Sequence, residues 1–210
     1  MKIRPLLIAI STIIGTCVTI GAVPVQALTC QETGENCVVG GIGPKGGIIF
    51  YDAGSQQWWG RYLEAQPGSA EARFPWHDDW FRQSIYGPGD ESKRLQRQSM
   101  AIGMGRENTE RMRQAGSLLA LSGFGLSDGW YLPSKDELDA LYNFRVQNIV
   151  RNGYWDSVPM WTSSESEPGF AWYQLFQDGT QFTDAQGILP GLKQNTDKMR
   201  SPVHVGSDFP

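Results

Sequence analysis

An uncharged stretch over residues 6–25, preceded by Lys2 and Arg4 and followed by small side chains, limits what this 210-residue chain can fold into. A run of that length either crosses a bilayer or is removed during export. Pro24 breaks a helix just ahead of Val25-Gln26-Ala27, whose small-x-small pattern suits signal peptidase, so cleavage is expected after Ala27. An uncleaved anchor is the alternative. Cys17 and Cys30 each follow a threonine (Thr16, Thr29), where lipid modification takes Gly, Ala or Ser, which argues against a lipoprotein. The expected destination is the periplasm or the exterior, with no membrane attachment after cleavage.

Losing 1–27 leaves 183 of the 210 residues and removes Lys2 and Arg4, taking the net charge from −4 to −6. Cys17 goes too, leaving Cys30 and Cys37, an even pair that reads as one disulfide in an exported chain. So short a loop stabilises by roughly 2 to 3 kcal/mol in the chain-entropy picture. It should pin the mature N-terminus rather than hold the core. Two thiols with the distant His77 and His204 do not make a zinc set.

Eight Trp, seven Tyr and nine Phe are too many for a disordered chain. The acidic balance argues against nucleic acid as a partner. Glycine at 25 residues, without dominance of Leu, Ala, Glu and Lys, argues against a helical bundle.

Gly46-Gly47-Ile48-Ile49-Phe50-Tyr51-Asp52 reads as a buried strand closed by Ala53-Gly54. Ahead of it, Gly41-Ile42-Gly43-Pro44-Lys45-Gly46 matches G-x-G-x-x-G in letters only. A dinucleotide fingerprint follows a strand and opens a helix, whereas this one contains Pro44 and precedes a strand. It reads as a tight turn. A short strand is expected at Arg61-Tyr62-Leu63-Glu64-Ala65, and a polar turn over 87–91. One helix is expected from Asn108 as N-cap to Gly123, with Met112, Ala115 and Leu119 on one face. A second is opened by the capping box Ser134-Lys135-Asp136-Glu137 and buries Leu138, Leu141 and Tyr142. Strands then follow at Met160-Trp161-Thr162-Ser163-Ser164, and as a hairpin with 170–176 and 180–182 joined by Asp178-Gly179. A last strand is expected over 201–205. Helices in the middle and strands at both ends indicate one α+β domain. The expected division is a signal peptide over 1–27, a disulfide-bearing segment over 28–37, a domain over 38–206 and a tail over 207–210.

The motifs Gly129-Trp130-Tyr131-Leu132-Pro133-Ser134, Met160-Trp161-Thr162-Ser163-Ser164-Glu165 and Ala171-Trp172-Tyr173-Gln174-Leu175-Phe176-Gln177-Asp178-Gly179 have a counterpart in a bacterial module. Supporting pieces are Val39-Gly40 to Phe50-Tyr51, Tyr62-Leu63-Glu64-Ala65 and Ala101-Ile102-Gly103-Met104-Gly105 with Asn108-Thr109. Over about 38–206 the chain resembles the C-terminal domain of the collagen-like adhesin (Lcl) family. The resemblance implies a C-type-lectin-like fold: small antiparallel sheets, two flanking helices, long binding loops, and first and last strands paired, here 46–52 with 201–205. It also implies an adhesin-like role, with polysaccharide binding among the relatives. His204 departs from the basic residue that usually follows Arg-x-Pro-Val.

Candidate binding chemistry lies in Phe74-Pro75-Trp76-His77-Asp78-Asp79-Trp80-Phe81, because Trp76 and Trp80 could stack on sugar faces while Asp78 and Asp79 take hydroxyls. His77 beside these carboxylates could also sit on a metal, although adjacent residues point in different directions. The competing reading folds both rings over a satellite core. Trp130, Trp161 and Trp172 read as core residues. Ser163 and Ser164 lack the surroundings of a nucleophile elbow. Glu167-Pro168 resembles the calcium and sugar motif of C-type lectins, but Gly169 stands where an Asn ligand belongs. No cofactor is therefore expected, and calcium through other carboxylates stays open. Lys93-Arg94, Arg97 and the arginines between Arg106 and Arg113 read as a solvated helix face. The expected function is a non-catalytic binding module for a glycan or another surface polymer. The alternatives are a protein-interaction module of the cell surface and an oxidase-like enzyme, the latter needing a reactive cysteine pair.

Overall fold

The computed structural model describes residues 30–34, 36–66, 72–73, 75–77, 84–121, 129–148, 159–185, 200–201 and 205–207. The proposed leader, Asp78, Asp79, Trp80 and His204 lie outside the described residues. The architecture is mixed α+β. A short helix α1 (Cys30–Thr33) leads to β1 (Ile48–Gln57), β2 (Gly60–Ala65) and β3 (Ala72–Arg73). Helices α2 (Asp90–Gln98), α3 (Gly105–Gln114), α4 (Leu118–Leu121) and α5 (Lys135–Asn148) follow, then β4 (Pro159–Glu167), β5 (Phe170–Leu175), β6 (Gln181–Ala185), β7 (Arg200–Ser201) and β8 (Val205–Ser207).

Among the described residues the strands form a three-stranded sheet in the order β1-β2-β8 and a five-stranded sheet in the order β3-β7-β4-β5-β6. β1 does not stop at Ala53-Gly54. Asp52 Oδ1 accepts the Gly54 N–H, and the Arg61 guanidinium grips both oxygens of Asp52 at 2.8 and 3.0 Å. The strand thereby passes an irregularity and runs on to Gln57. At the hairpin tip the tandem tryptophans separate. Trp58 is 62% exposed, whereas Trp59 packs inward against Gly103, where a Cβ would collide with the indole.

The expected pairing of first and last strands is corrected. β8 lies against β2, with Leu63 opposite Ser207 and Ala65 opposite Val205, because the β1–β2 hairpin leaves β2 as the strand facing the chain end. Of the expected 201–205 strand, Ser201 lies in β7, which pairs with β3 and β4, and Val205 lies in β8, while 202–204 are outside the described residues.

The expected helix over 108–123 is also corrected. α3 starts at Gly105 with Met104 as N-cap, so Asn108 sits inside it. Gly116, at φ 84°, terminates α3: its N–H reaches Arg113 O and the Ser117 N–H reaches Met112 O, which is a Schellman arrangement. Leu119 therefore belongs to the separate α4. The polar turn over 87–91 is in part a helix, since α2 opens at Asp90. The capping box of α5 forms as expected. The Ser134 N–H donates to Glu137 Oε2 at 2.8 Å, and the Glu137 N–H donates to Ser134 Oγ at 3.2 Å.

One core cluster sits between the sheets and α5, with Phe50 and Leu63 from the first sheet, Leu138 and Leu141 from α5, Met160 from the second and Phe176 just past the end of β5. Another gathers Trp76, Met112, Leu119, Leu132 and Trp161. The Cys30–Cys37 disulfide is formed, and Cys37 packs with Ile49 and Tyr62. The bridge thus reaches the core, beyond the terminus that it was expected to pin.

Candidate functional site

Two of the residues expected to bind, Trp76 and His77, are placed differently from the sequence reading. Trp76 has no accessible surface, and its indole N–H donates to Thr162 O at 2.7 Å. The Ser117 hydroxyl closes on Trp76 O. His77 is also buried, with Nε2 2.9 Å from Ala115 O, the carbonyl that ends α3. Both side chains knit the α3–α4 junction to β4, so the expectation of Trp76 as an exposed stacking ring is corrected. A large indole that finds a hydrogen-bond acceptor inside loses little by burial. Asp78, Asp79 and Trp80 lie outside the described residues.

The glycine-rich turn over 41–46 holds a side chain of this chain instead of a ligand. Glu64 is buried on β2, and its carboxylate accepts the Lys45 N–H at 3.1 Å and the Gly47 N–H at 2.9 Å. A Cβ at Gly43 would collide with that carboxyl group. Backbone donors that elsewhere cradle a phosphate are here satisfied internally.

The structure instead places a cleft of about 530 Å³ beside α2. Its walls are the turn over 87–89, the first turn of α2 with Asp90 and Lys93, and Pro168 at the tip between β4 and β5. Gly87 and Gly89 take positive φ values of 81° and 87°, which fold the chain sharply into α2. Asp90 and Glu91 then suit the positive end of the helix. On α2 the i, i+4 spacing turns Ser92 and Gln96 to one side, where they join Ser84 in the lining. Both are nine-tenths buried or more.

Ser84 is the hub of this floor. Its hydroxyl donates to Glu165 Oε2 at 2.9 Å and accepts the Tyr86 N–H at 3.1 Å, with Ser92 Oγ at 2.7 Å and Gln96 Nε2 at 3.2 Å around it. The Ile85 N–H gives Glu165 Oε2 a second donor at 3.0 Å. Tyr86 anchors the loop deeper, donating its phenol to Asn108 Oδ1 at 2.9 Å; burial pushes that phenol well above its ordinary range. Asn108 in turn donates to Ser99 O at 2.7 Å and Ser163 Oγ at 3.3 Å. Ser163 and Ser164 are buried in this seam, bonded to Pro133 O and Ser99 O.

The cations near the cleft are largely matched by neighbours on their own helices. Lys93 lies 3.2 Å from Asp90, Arg94 pairs with Glu91, Arg111 lies 2.6 Å from Glu107, and Arg113 lies 3.4 Å from Glu110. Among the described residues no group of three or more His, Cys, Asp or Glu side chains is placed to share a metal ion. Glu165 turns inward to Ser84 and Ile85, while Glu167 ends β4 at the surface. Reasoning from the sequence missed the cleft because its segment reads as a turn followed by a mostly polar stretch. The acidic pair after Gly89 was the available signal for a helix start. No family model, curated protein or solved structure matches this chain.

Proposed function

We propose that the chain is an exported, non-catalytic binding module of C-type-lectin-like fold that recognises a glycan or another hydroxyl-rich surface polymer. The observation that carries this reading is the cleft beside α2, whose floor is a buried, hydrogen-bonded set of neutral polar side chains. Such a floor offers directional partners without a net charge in the lining pair Asp90 and Lys93, which suits a neutral polyol. Two small sheets with flanking helices and a loop-built cleft support the fold assignment. The disulfide supports an oxidising destination, and no helix among the described residues is long and apolar enough to cross a membrane.

A surface protein-interaction role is favoured by one separate feature. Val38 at 66% exposure, Val39 and Ile42 stand out from a loop fixed next to the disulfide. The oxidase-like alternative needs a reduced pair, whereas Cys30 and Cys37 are bonded to each other.

A glycan array probed with the exported protein tests the main reading. Retention of a neutral glycan should fall at least about tenfold in Gln96→Leu, the loss expected for one buried hydrogen-bonding group, and should survive Trp58→Ala. Retention that depends on Trp58 and ignores Gln96 would move the site elsewhere. An array with no retained glycan would end the glycan reading.

A further inference from the structure

Two cations from distant parts of the chain meet at Gly129. A Cβ on this exposed glycine would lie 2.8 Å from Lys45 Nζ and 4.0 Å from Arg106 Nη2, so the two nitrogens stand within about 7 Å of each other. Both side chains are half-buried and rooted in fixed backbone. The Lys45 N–H donates to both oxygens of the buried Glu64 carboxylate at 3.1 Å, which holds its turn against β2. Arg106 leaves the first turn of α3, whose Gly105 N–H donates to Glu137. Its guanidinium lies 5.6 Å from the centre of the buried Tyr131 ring. The two other described lysines each have a carboxylate on their own helix, Lys93 with Asp90 at 3.2 Å and Lys135 with Asp136 at 3.6 Å. Lys45 has none within ion-pair distance among the described residues. The carboxylates of α3 turn elsewhere, Glu107 to Arg111 and Glu110 to Arg113.

We infer that Lys45 and Arg106 form a binding site for a carboxylate, with Gly129 as its floor. Like charges this close repel, and an anion between them replaces that repulsion with two attractions. The N–H groups of a guanidinium all lie in one plane, which suits the two coplanar oxygens of a carboxylate, and the Lys45 ammonium adds a point charge beside them. Charged donors sit about 2.8 Å from a carboxylate oxygen, so one carboxylate can touch both cations across this gap. Gly129 is needed there, because a side chain would strike Lys45 Nζ and its φ of 83° favours glycine. The site shares no lining residue with the cleft beside α2, so its location is independent of the proposed function. The source of the carboxylate, a uronic acid unit of a surface polymer, rests on that reading.

Sodium D-glucuronate and methyl β-D-glucopyranoside, titrated separately into the exported protein and followed by NMR, read the site directly. Glucuronate should move the amide resonances of Lys45, Gly129 and Trp130, and at those resonances bind at least about tenfold more tightly than the neutral sugar, the ratio expected for hydrogen bonds between charged groups. Lys45→Gln and Arg106→Gln should each weaken glucuronate at least about fivefold, whereas Lys45→Arg, which keeps the charge, should stay within about threefold of the native protein. Lys45→Gln leaves the backbone contact with Glu64 in place, and a retained near-ultraviolet dichroism spectrum shows that each variant is folded. Equal responses to the two sugars at these amides, a glucuronate response confined to other amides, or native affinity in folded Lys45→Gln and Arg106→Gln would overturn the inference. Tighter binding of glucose 6-sulfate than of glucuronate would overturn the choice of a carboxylate. Glucuronate binding that needs both cations, with an empty glycan array, would leave the site standing and remove the glycan reading. A neutral glycan retained without any glucuronate response would do the reverse.

Discussion

Glu137 shows how a single residue can couple local geometry to solution behaviour. It is fully buried at the first turn of α5, and its carboxyl accepts N–H groups from Gly103 at 2.8 Å, Gly105 at 3.4 Å and Ser134 at 2.8 Å. Burial outweighs those donors and pushes the carboxyl from its ordinary 4.5 up to about 7. A folded value above the unfolded one means that the native chain holds the proton more tightly. The contribution is therefore complete below about pH 4.5 and is lost as the pH rises from there to about 7. Its full size is roughly 3 kcal/mol. Chemical denaturation across that range should show native stability falling relative to Glu137→Gln, whose own curve lacks this component; parallel curves would show that Glu137 does not titrate there. The capping role of this residue was legible from Ser-x-x-Glu spacing, which depends only on neighbours along the chain. Its two contacts with the 103–105 turn were not, because they depend on where a distant segment packs. The same distinction explains Trp76: the sequence shows an indole beside carboxylates, and only tertiary packing puts Thr162 O within its reach.

Among the elements, those with a complete local code were read correctly and those built by long-range packing were not. The β5–β6 hairpin was fixed by Asp178-Gly179, with Gly179 at φ 79° and Thr180 N–H donating to Asp178 Oδ1. By contrast, α2 is polar along most of its length and buries only Ser92 and Gln96, so it carries no apolar stripe for a sequence reading to find. α3 absorbs Asn108 as a buried connector although Asn at that place looks like a cap. The N-terminal segment is a further case, since spacing suggested the disulfide but not the packing of Cys37 against Ile49 and Tyr62. Two effects therefore add in Cys37→Ser. Loop closure is worth roughly 2 to 3 kcal/mol, and replacing a sulfur in that apolar cluster with a hydroxyl leaves a buried polar group to satisfy, about 1 kcal/mol more. Urea titration should place the variant about 3 to 4 kcal/mol below the native protein, whereas a loss under about 1 kcal/mol would mean that the bridge holds only a loose end.

For the whole molecule, the question is whether two sheets of three and five strands make one cooperative unit or two. Each is small, and an isolated sheet of this size needs a covered face to persist. The cover is shared: α5 sends Leu138 and Leu141 into a cluster that also contains Phe50 and Leu63 from one sheet and Met160 and Phe176 beside the other. Pairing of β8 with β2 and of β7 with β3 and β4 brings the end of the chain into both sheets. Neither sheet can open without uncovering the other's apolar face, so unfolding should be all-or-none. Leu138, with no exposed surface, is the sharpest probe. Leu138→Ala should cost about 2 to 5 kcal/mol and keep a single transition, with tryptophan fluorescence and far-ultraviolet dichroism moving together. Two separated transitions in the variant would instead mean that the sheets stand independently. The cleft beside α2 would then depend on the five-stranded sheet alone, because Glu165, the hydrogen-bond partner of Ser84 in its lining, belongs to β4.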